Sequence, residues 1–358
     1  MEYGKPIRVA IIGQGRSGRD IHGAHFLSDK LGHYKVVAVV DAIEFRRKRA
    51  EAEYGCDSYA DYHALFSRND VDLVVNSTFS RDHYPVTLDL LRHGFHVVTE
   101  KPFANHAADC DEMIAAARES GATLAVFQNS RFAPYYVKLR EVLRSGILGE
   151  IVQISQNWSG FSRRWDWQCS QRFGGGSLFN TCPHPMDQAL DLLGWDADVK
   201  VAFSKLRCCI TSGDAEDYVK VILTAPGQPL VDLECSSVNS NAPWFYIVHG
   251  TRGTLRAKAD LVEWKYFLPE LEAPRPLILT PLEKEDRSPA YCGETLTWYE
   301  NSFKISGDPF ANASAGYYEM LYRHLTLGEP LEVLPEHSRK QIALMEEIHA
   351  QNPLPVKY

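Results

Sequence analysis

The chain has 358 residues, 45% hydrophobic and 23% charged, the proportions of a soluble globular protein long enough for two domains. A formal net charge of −8 argues against nucleic acid as a partner, because binding a polyanion needs a basic face. No apolar run exceeds about six residues, too short to span a membrane, and the eight cysteines are scattered without a C-x-x-C pair, so reduced thiols and no metal site are expected.

Residues 1–5 lead directly into a strand with no signal-peptide core, so a cytoplasmic protein is expected. Residues 7–12 are a short apolar run, as a buried parallel strand requires. Gly13-Gln14-Gly15-Arg16-Ser17-Gly18 follows at once in the spacing G-x-G-x-x-G and opens a helical segment. A second strand, 36–41, ends on a carboxylate, Asp41. Each part has a job in holding a dinucleotide. Gly13 allows the tight turn, Gly15 lets the backbone approach a pyrophosphate, and Gly18 lets the helix pack on the sheet. The phosphates then rest on free N–H groups at the helix start, beside Arg16 and Ser17. Asp41 accepts hydrogen bonds from the adenosine ribose and repels a 2′-phosphate, which favours NAD; Arg46 and Arg47, a few residues on, leave NADP possible.

Further strands are predicted at 71–75, 96–99 and 123–127, separated by helices at 83–93 and 106–119. Gly94 and Gly121 stand where a C-terminal glycine belongs. The alternation predicts a parallel, doubly wound Rossmann sheet over residues 1–127. Ligands in such sheets bind beyond the carboxyl ends of the strands, where Thr78, Ser80, His83, Glu100, Lys101 and Pro102 fall. After Asn129 the rhythm changes. A helix at 134–145 and a strand at 150–158 precede four segments that read as antiparallel strands, 199–211, 218–224, 230–237 and 245–249. Val231, Leu233 and Cys235 alternate with Asp232, Glu234 and Ser236, as in a sheet with one buried face. Cys208 and Cys209 are expected on opposite faces of a strand. Gly250 to Gly253 reads as a turn, 256–300 has no clear pattern, and helices at 313–327 and 336–351 close the chain. Residues 128–358 are thus expected to form an α+β domain with a large, mostly antiparallel open sheet.

Two stretches carry chemistry. Glu100-Lys101-Pro102 directly follows a strand at the cofactor end. A lysine there, partly desolvated and near a nicotinamide cation, has a depressed pKa and can exchange a proton with a substrate oxygen. The second is the block from Gly174 to Asp187, with three successive glycines, Asn180, Pro183, His184 and Pro185. The glycines permit close passage of another backbone. The prolines fit only a helix's first turn, which places His184 at a positive helix end, where imidazolium is disfavoured. Ahead of the glycines, Trp165 and Trp167 with Arg163, Arg164 and Asp166 suit a sugar pocket or a packed surface equally.

These motifs resemble the glucose–fructose oxidoreductase, inositol dehydrogenase and MocA family, Gfo/Idh/MocA. The resemblance covers nearly the whole chain: the glycine loop, Asp41, Thr78 to His83, Glu100-Lys101-Pro102, Gln128 to Phe132, Gly146 to Ile151, the 174–187 block, and Gly250 to Leu255. It implies an NAD-dependent oxidoreductase that acts on a secondary alcohol or ketone of a sugar, sugar derivative or inositol, and a homodimer or homotetramer formed through the open sheet. It implies cofactor contacts at Thr78, His83, Glu100 and Asn129, and substrate contacts at Lys101, Arg131, Trp165, Trp167, Asn180 and His184. The family's catalytic lysine and histidine match Lys101 and His184. Its aspartate position is Asn180 here, which cannot take a proton but can orient a substrate or Lys101. Two other readings share the fold: a tightly bound, recycled cofactor serving sugar–sugar oxidoreduction or glycoside cleavage, and a non-enzymatic NAD- or sugar-binding regulator.

Overall fold

The computed structural model describes residues 1–241 and 244–358. Six short parallel strands form the first sheet: β1 (Ile7–Ile12), β2 (Tyr34–Val40), β3 (Asp57–Tyr59), β4 (Leu73–Asn76), β5 (His96–Thr99) and β6 (Leu124–Val126). Their order is β3-β2-β1-β4-β5-β6. The order reverses between β1 and β4, and the crevice above their carboxyl ends is where such sheets bind ligands. The strand at 57–59 was not predicted; three residues, one of them exposed, carry too little pattern. The helix after the glycine loop starts as a π-helical segment, Arg16–Gly23, and continues as α1 (Ala24–Ser28). Helices α2 (Glu44–Tyr54), α3 (His83–Arg92) and α4 (Ala107–Ser120) complete this part.

The second part opens with α5 (Pro134–Arg144), β7 (Ile151–Asn157), a short helix α6 (Ser177–Asn180) and α7 (Pro183–Leu193). Seven more strands follow: β8 (Lys200–Arg207), β9 (Tyr218–Thr224), β10 (Leu230–Ser236), β11 (Tyr246–Gly250), β12 (Gly253–Lys258), β13 (Leu261–Tyr266) and β14 (Tyr299–Lys304). They join β7 in an eight-stranded sheet of order β14-β13-β12-β11-β7-β10-β9-β8, antiparallel except where β10 runs parallel to β7. The alternation read in residues 231–236 holds: Val231, Leu233 and Cys235 are buried against the covering helices. The opposite face leaves Phe203, Leu230 and Ile247 exposed.

Three expectations change. The strand predicted to reach Thr211 stops at Arg207, because the Asp217 carboxylate accepts the main-chain N–H groups of Cys209, Ile210 and Thr211 at 2.7, 2.7 and 2.9 Å. Cys208 and Cys209 therefore lie beyond the strand. Residues 256–300, which showed no clear pattern, hold half of β12, all of β13 and the start of β14; in β13 only Val262 is fully buried, so little alternation shows. The penultimate helix, α8 (Pro309–Leu327), begins four residues before the predicted start. Asp308 caps it by accepting from the N–H of Phe310 at 2.8 Å, and Pro309 occupies its first turn, a start signal legible in the sequence. The last helix is α9 (Pro335–Gln351).

We propose dividing the chain after Phe127. On that division α8 belongs to the second part yet covers the first sheet, with Tyr317, Tyr318, Leu321 and Tyr322 in one core with Ile7, Val9 and Ile11. Helix α9 packs on α4. The chain's end thus returns to the nucleotide half and holds the cleft between the halves in place.

Candidate active site

The glycine loop has room on one side only. Gly13 has φ +88°, and Ser77 Oγ donates to the main-chain oxygens of Ile12 and Gly13 at 2.7 and 3.1 Å, clamping the turn. A Cβ on Gly18 would lie 1.8 Å from Gly13 O, whereas one on Gly15 would meet nothing nearer than Arg46 Nη1 at 3.9 Å. Arg16 is exposed and forms no ion pair among the described residues, and the buried Gln14 side-chain amide has no partner. An open backbone at Gly15, a free cation and N–H groups at a helix start suit a pyrophosphate. Asp41 sits at the end of β2 as expected. Its carboxylate accepts from Gln14 N and Ile43 N, both at 2.8 Å, and from Arg46 Nη1 at 3.4 Å. The cradle therefore fits a dinucleotide.

Lys101 reaches across the cleft. Its peptide bond to Pro102 is cis. Its Nζ donates to the main-chain oxygen of Asn180 at 2.8 Å, joining the β5 loop to the C-terminal end of α6. Burial lowers its pKa from the ordinary 10.5; the Glu100 carboxylate opposes this, and the charges of Arg16 and Arg164 reinforce it. Glu100 is itself buried, which alone would raise its pKa, but a hydrogen bond from His22 and the positive charge around it, that of Lys101 included, hold it down to about 2. Its Oε2 accepts the main-chain N–H of Lys101 at 3.1 Å.

His184 lies in the first turn of α7, as the two prolines require. Burial, then the charge of Lys101, lowers its pKa to about 3, so it is neutral at ordinary pH. The expected neutrality holds, but its leading cause is desolvation. Its Nδ1 is buried without a partner. The Asn180 side chain forms a reciprocal amide pair with Gln168, at 3.1 and 3.4 Å. Asn180 also borders a cavity of about 200 Å³ whose wall includes Trp158, Arg164, Gln168, Glu216 and Ser236. The glycine run passes close to its neighbours as read: a Cβ on Gly174 would lie 2.7 Å from Asn105 Oδ1 of the nucleotide half, and one on Gly176 would lie 2.2 Å from Glu216 Oε1.

Six residues expected to touch cofactor or substrate have other surroundings. Arg131 is fully buried; its Nε and Nη2 donate to Asp187 at 2.9 and 2.5 Å and its Nη1 to Glu332 O at 2.8 Å. It ties α7 to the loop before α9 and is sealed from a substrate. The buried His83 holds Pro102 O through Nδ1 at 2.7 Å and approaches Thr78 O at 3.3 Å; it braces the two loops that frame the crevice. Asn129 turns its Nδ2 to Ser314 Oγ of α8 at 3.1 Å. Trp165 is 82% exposed, whereas Trp167 packs edge-on against Phe79 of the nucleotide half at 4.8 Å. Thr78 Oγ1 donates to Asn76 Oδ1 at 2.7 Å. The sequence reading missed His22, Gln168 and Tyr318. His22 follows Gly18 by four residues, on the face turned to the sheet, a placement that periodicity allows but does not single out.

A glycine cradle at a strand switch point, with a desolvated lysine bonded across the cleft to Asn180 O and a neutral histidine within reach of its charge, defines a dinucleotide-dependent oxidoreductase. The comparisons narrow this class. A family model described as "Oxidoreductase family, NAD-binding Rossmann fold" matches residues 7–128, and the GFO/IDH/MocA C-terminal domain matches 136–256. The chain belongs to the Gfo/Idh/MocA family of NAD-binding oxidoreductases. It is 30% identical over 250 residues to an uncharacterised oxidoreductase, YdgJ, of Escherichia coli, covering 69% of this chain and 70% of that one. It is 26% identical over 310 residues to a scyllo-inositol 2-dehydrogenase (NADP(+)) of Bacillus subtilis, covering 82% and 84%. The fold matches that of the WlbA dehydrogenase of Bordetella pertussis, crystallised with NADH and UDP-GlcNAcA, with TM-score 0.75 and 20% identity over 98% and 96% of the chains. Among the described residues, no helix is long and apolar enough to cross a membrane.

Proposed function

We propose that this protein transfers a hydride between nicotinamide and a secondary alcohol, or its ketone, of a sugar, sugar derivative or inositol. The observation that carries the reading is the bond from Lys101 Nζ to Asn180 O beside a neutral His184. The bound dinucleotide supplies the hydride acceptor or donor. The N–H groups from Gly15 to Gly18, with Arg16, Ser17 and Asp41, hold it, and the loops at Thr78 and Glu100 flank it.

The protein's own part is proton handling and orientation. Neutral Lys101 takes the hydroxyl proton as the alcohol is oxidised and returns it in the reverse direction. The family's aspartate would have kept this lysine cationic. Asn180 instead offers it only a main-chain carbonyl, so burial and the two arginines favour the neutral, proton-accepting form. His184 orients the reacting hydroxyl through hydrogen bonding, because it does not ionise in the working range. The polar cavity beside Asn180, with the Trp158 indole on its wall, suits a polyhydroxylated ring: hydroxyls meet Gln168, Arg164 and Ser236, and C–H faces meet the indole. The scyllo-inositol relative supports a cyclitol or sugar. NAD is favoured over NADP by Asp41, and the uncovered face of the large sheet, where Phe203, Leu230 and Ile247 stand exposed, supports association of copies through it.

The test is absorbance at 340 nm with purified protein, NAD and a panel of sugars, inositols and simple glycosides. A rise with one compound is expected. A flat trace across the panel, in both directions and with either cofactor, overturns the reading.

A further inference from the structure

The catalytic lysine is not braced by its own half of the molecule alone. Behind Glu100 lies a chain of buried polar groups that ends on α8. His22 Nε2 is 3.2 Å from Glu100 Oε1, and His22 Nδ1 is 2.6 Å from the hydroxyl of Tyr318. All three are sealed: His22 is 0%, Tyr318 1% and Glu100 5% exposed. The Tyr318 ring is locked by stacking against His25 at 4.6 Å and edge packing on Phe26 at 4.8 Å, and its main-chain oxygen accepts from the Tyr34 hydroxyl at 2.7 Å. The His22 ring packs on Phe127 at 4.4 Å.

The polarity of this chain is forced at Glu100, and a neutral His22 sets the rest. A carboxylate only accepts hydrogen bonds, so His22 Nε2 carries a proton and donates to Glu100. A neutral imidazole then has a lone pair on Nδ1, which accepts from the Tyr318 hydroxyl. The phenol selects the tautomer and the imidazole presents it.

We propose that Tyr318 and His22 are positioning residues for this reaction: Tyr318 fixes the His22 tautomer that holds Glu100, and Glu100 in turn fixes the backbone and charge environment of Lys101. The proposal rests on the reading of Lys101 as the proton acceptor. It gives α8, which touches no reacting atom, control over the site from the far end of the chain. Other ionisable groups face the relay: Tyr318 meets His25, Tyr34 and Tyr317, and His22 acts on His25. Glu100 meets His22, His83, Lys101, Tyr317 and Tyr318; Lys101 meets Glu100, Arg16 and Arg164, and affects His184.

Two measurements test it. The first uses the wild-type protein with ¹⁵N-labelled histidine, and His22→Gln to pick the His22 signals out of thirteen rings. Imidazole ¹⁵N shifts of an Nε2–H tautomer are expected, and in Tyr318→Phe they collapse to an averaged pair. A wild-type Nδ1–H tautomer, or an averaged one, overturns the proposal whether or not the enzyme turns over. The second is the pH dependence of kcat in Tyr318→Phe, which removes one oxygen and keeps the ring. A loss of about tenfold is expected, with KM for cofactor and substrate within twofold. The limb set by Lys101 should move to lower pH by about one unit, because a loosened Glu100 stabilises the ammonium less. A profile that superimposes on wild type, even with a lowered Tm, makes Tyr318 merely structural. A correct tautomer with no turnover on any polyol would instead remove the proposed function and leave the relay's geometry standing.

Discussion

Lys101 Nζ and the main-chain oxygen of Asn180 meet at 2.8 Å across the cleft between the two halves of the chain. The lysine is held by the first half and its acceptor by the second. The acceptor is a carbonyl that no side-chain substitution deletes, so the contact survives the replacement of the family's aspartate by asparagine. What that replacement changes is charge.

Lys101→Ala should lower kcat by about two to four powers of ten, the usual worth of acid–base catalysis, with cofactor affinity little changed. Steady-state rates on whichever polyol the absorbance panel identifies give the answer. Near-normal turnover would take Lys101 out of the mechanism.

Asn180→Asp should restore an anion beside Lys101 and raise its pKa. Oxidation needs the neutral amine, so its rate climbs with pH through that pKa. The variant's limb should therefore sit about one unit higher than that of the native protein. A limb moving lower, or not at all, would show that the side chain at 180 does not sense Lys101.

Arg131→Ala should act on folding rather than on substrate binding. Burial opposes the charge of Arg131, but the Asp187 carboxylate more than restores it, and the guanidinium pKa is raised. Removing one partner of a buried pair strands the other, at a cost of about 3–5 kcal/mol. Thermal unfolding should register the loss, and KM for the polyol in the folded fraction should stay near native. A large KM change with unaltered stability would return Arg131 to the substrate site.

Asp41→Ala should weaken NAD binding and lower the preference for NAD over NADP, since the carboxylate both accepts from Gln14 N and Ile43 N and repels a 2′-phosphate. Dissociation constants by nicotinamide fluorescence would show it. An unchanged NAD to NADP ratio would mean that Arg46 and Arg47 govern the choice.

Stability should fall in mild acid. Burial, first among the causes, lowers His25, His184 and His337 to about 4, about 3 and about 4, from an ordinary 6.5. Between those values and 6.5 the unfolded chain binds more protons than the folded one, so stability declines as pH drops below 6.5. Glu100, held at about 2, acts in the same direction at lower pH. Near pH 5 unfolding should take up about three protons through these rings. Calorimetry in buffers of different ionisation enthalpy measures that uptake, and a Tm flat from pH 6.5 to 5 would contradict it.

The sequence alone determined whatever depends on neighbours along the chain. Five of the six parallel strands, the glycine cradle, Asp41 at a strand end, and His184 in a proline-led first turn are legible because each is local. An apolar run must be buried, a glycine must stand where a Cβ would strike Gly13 O, and a proline must sit where no N–H is needed. The strand at 57–59 escaped because it is three residues long at a sheet edge, and β13 because only Val262 of its six residues is fully buried. Only the tertiary structure decided which polar side chains face the cleft. Arg131, His83 and Asn129 carry the right chemistry, yet partners remote in sequence take them: Asp187, Pro102 and Ser314. His22 and Tyr318 carry no signal of their own, yet they join at 2.6 Å across 296 positions of chain. A hydrogen bond between distant segments depends on how two cores pack, and no spacing along the chain encodes it.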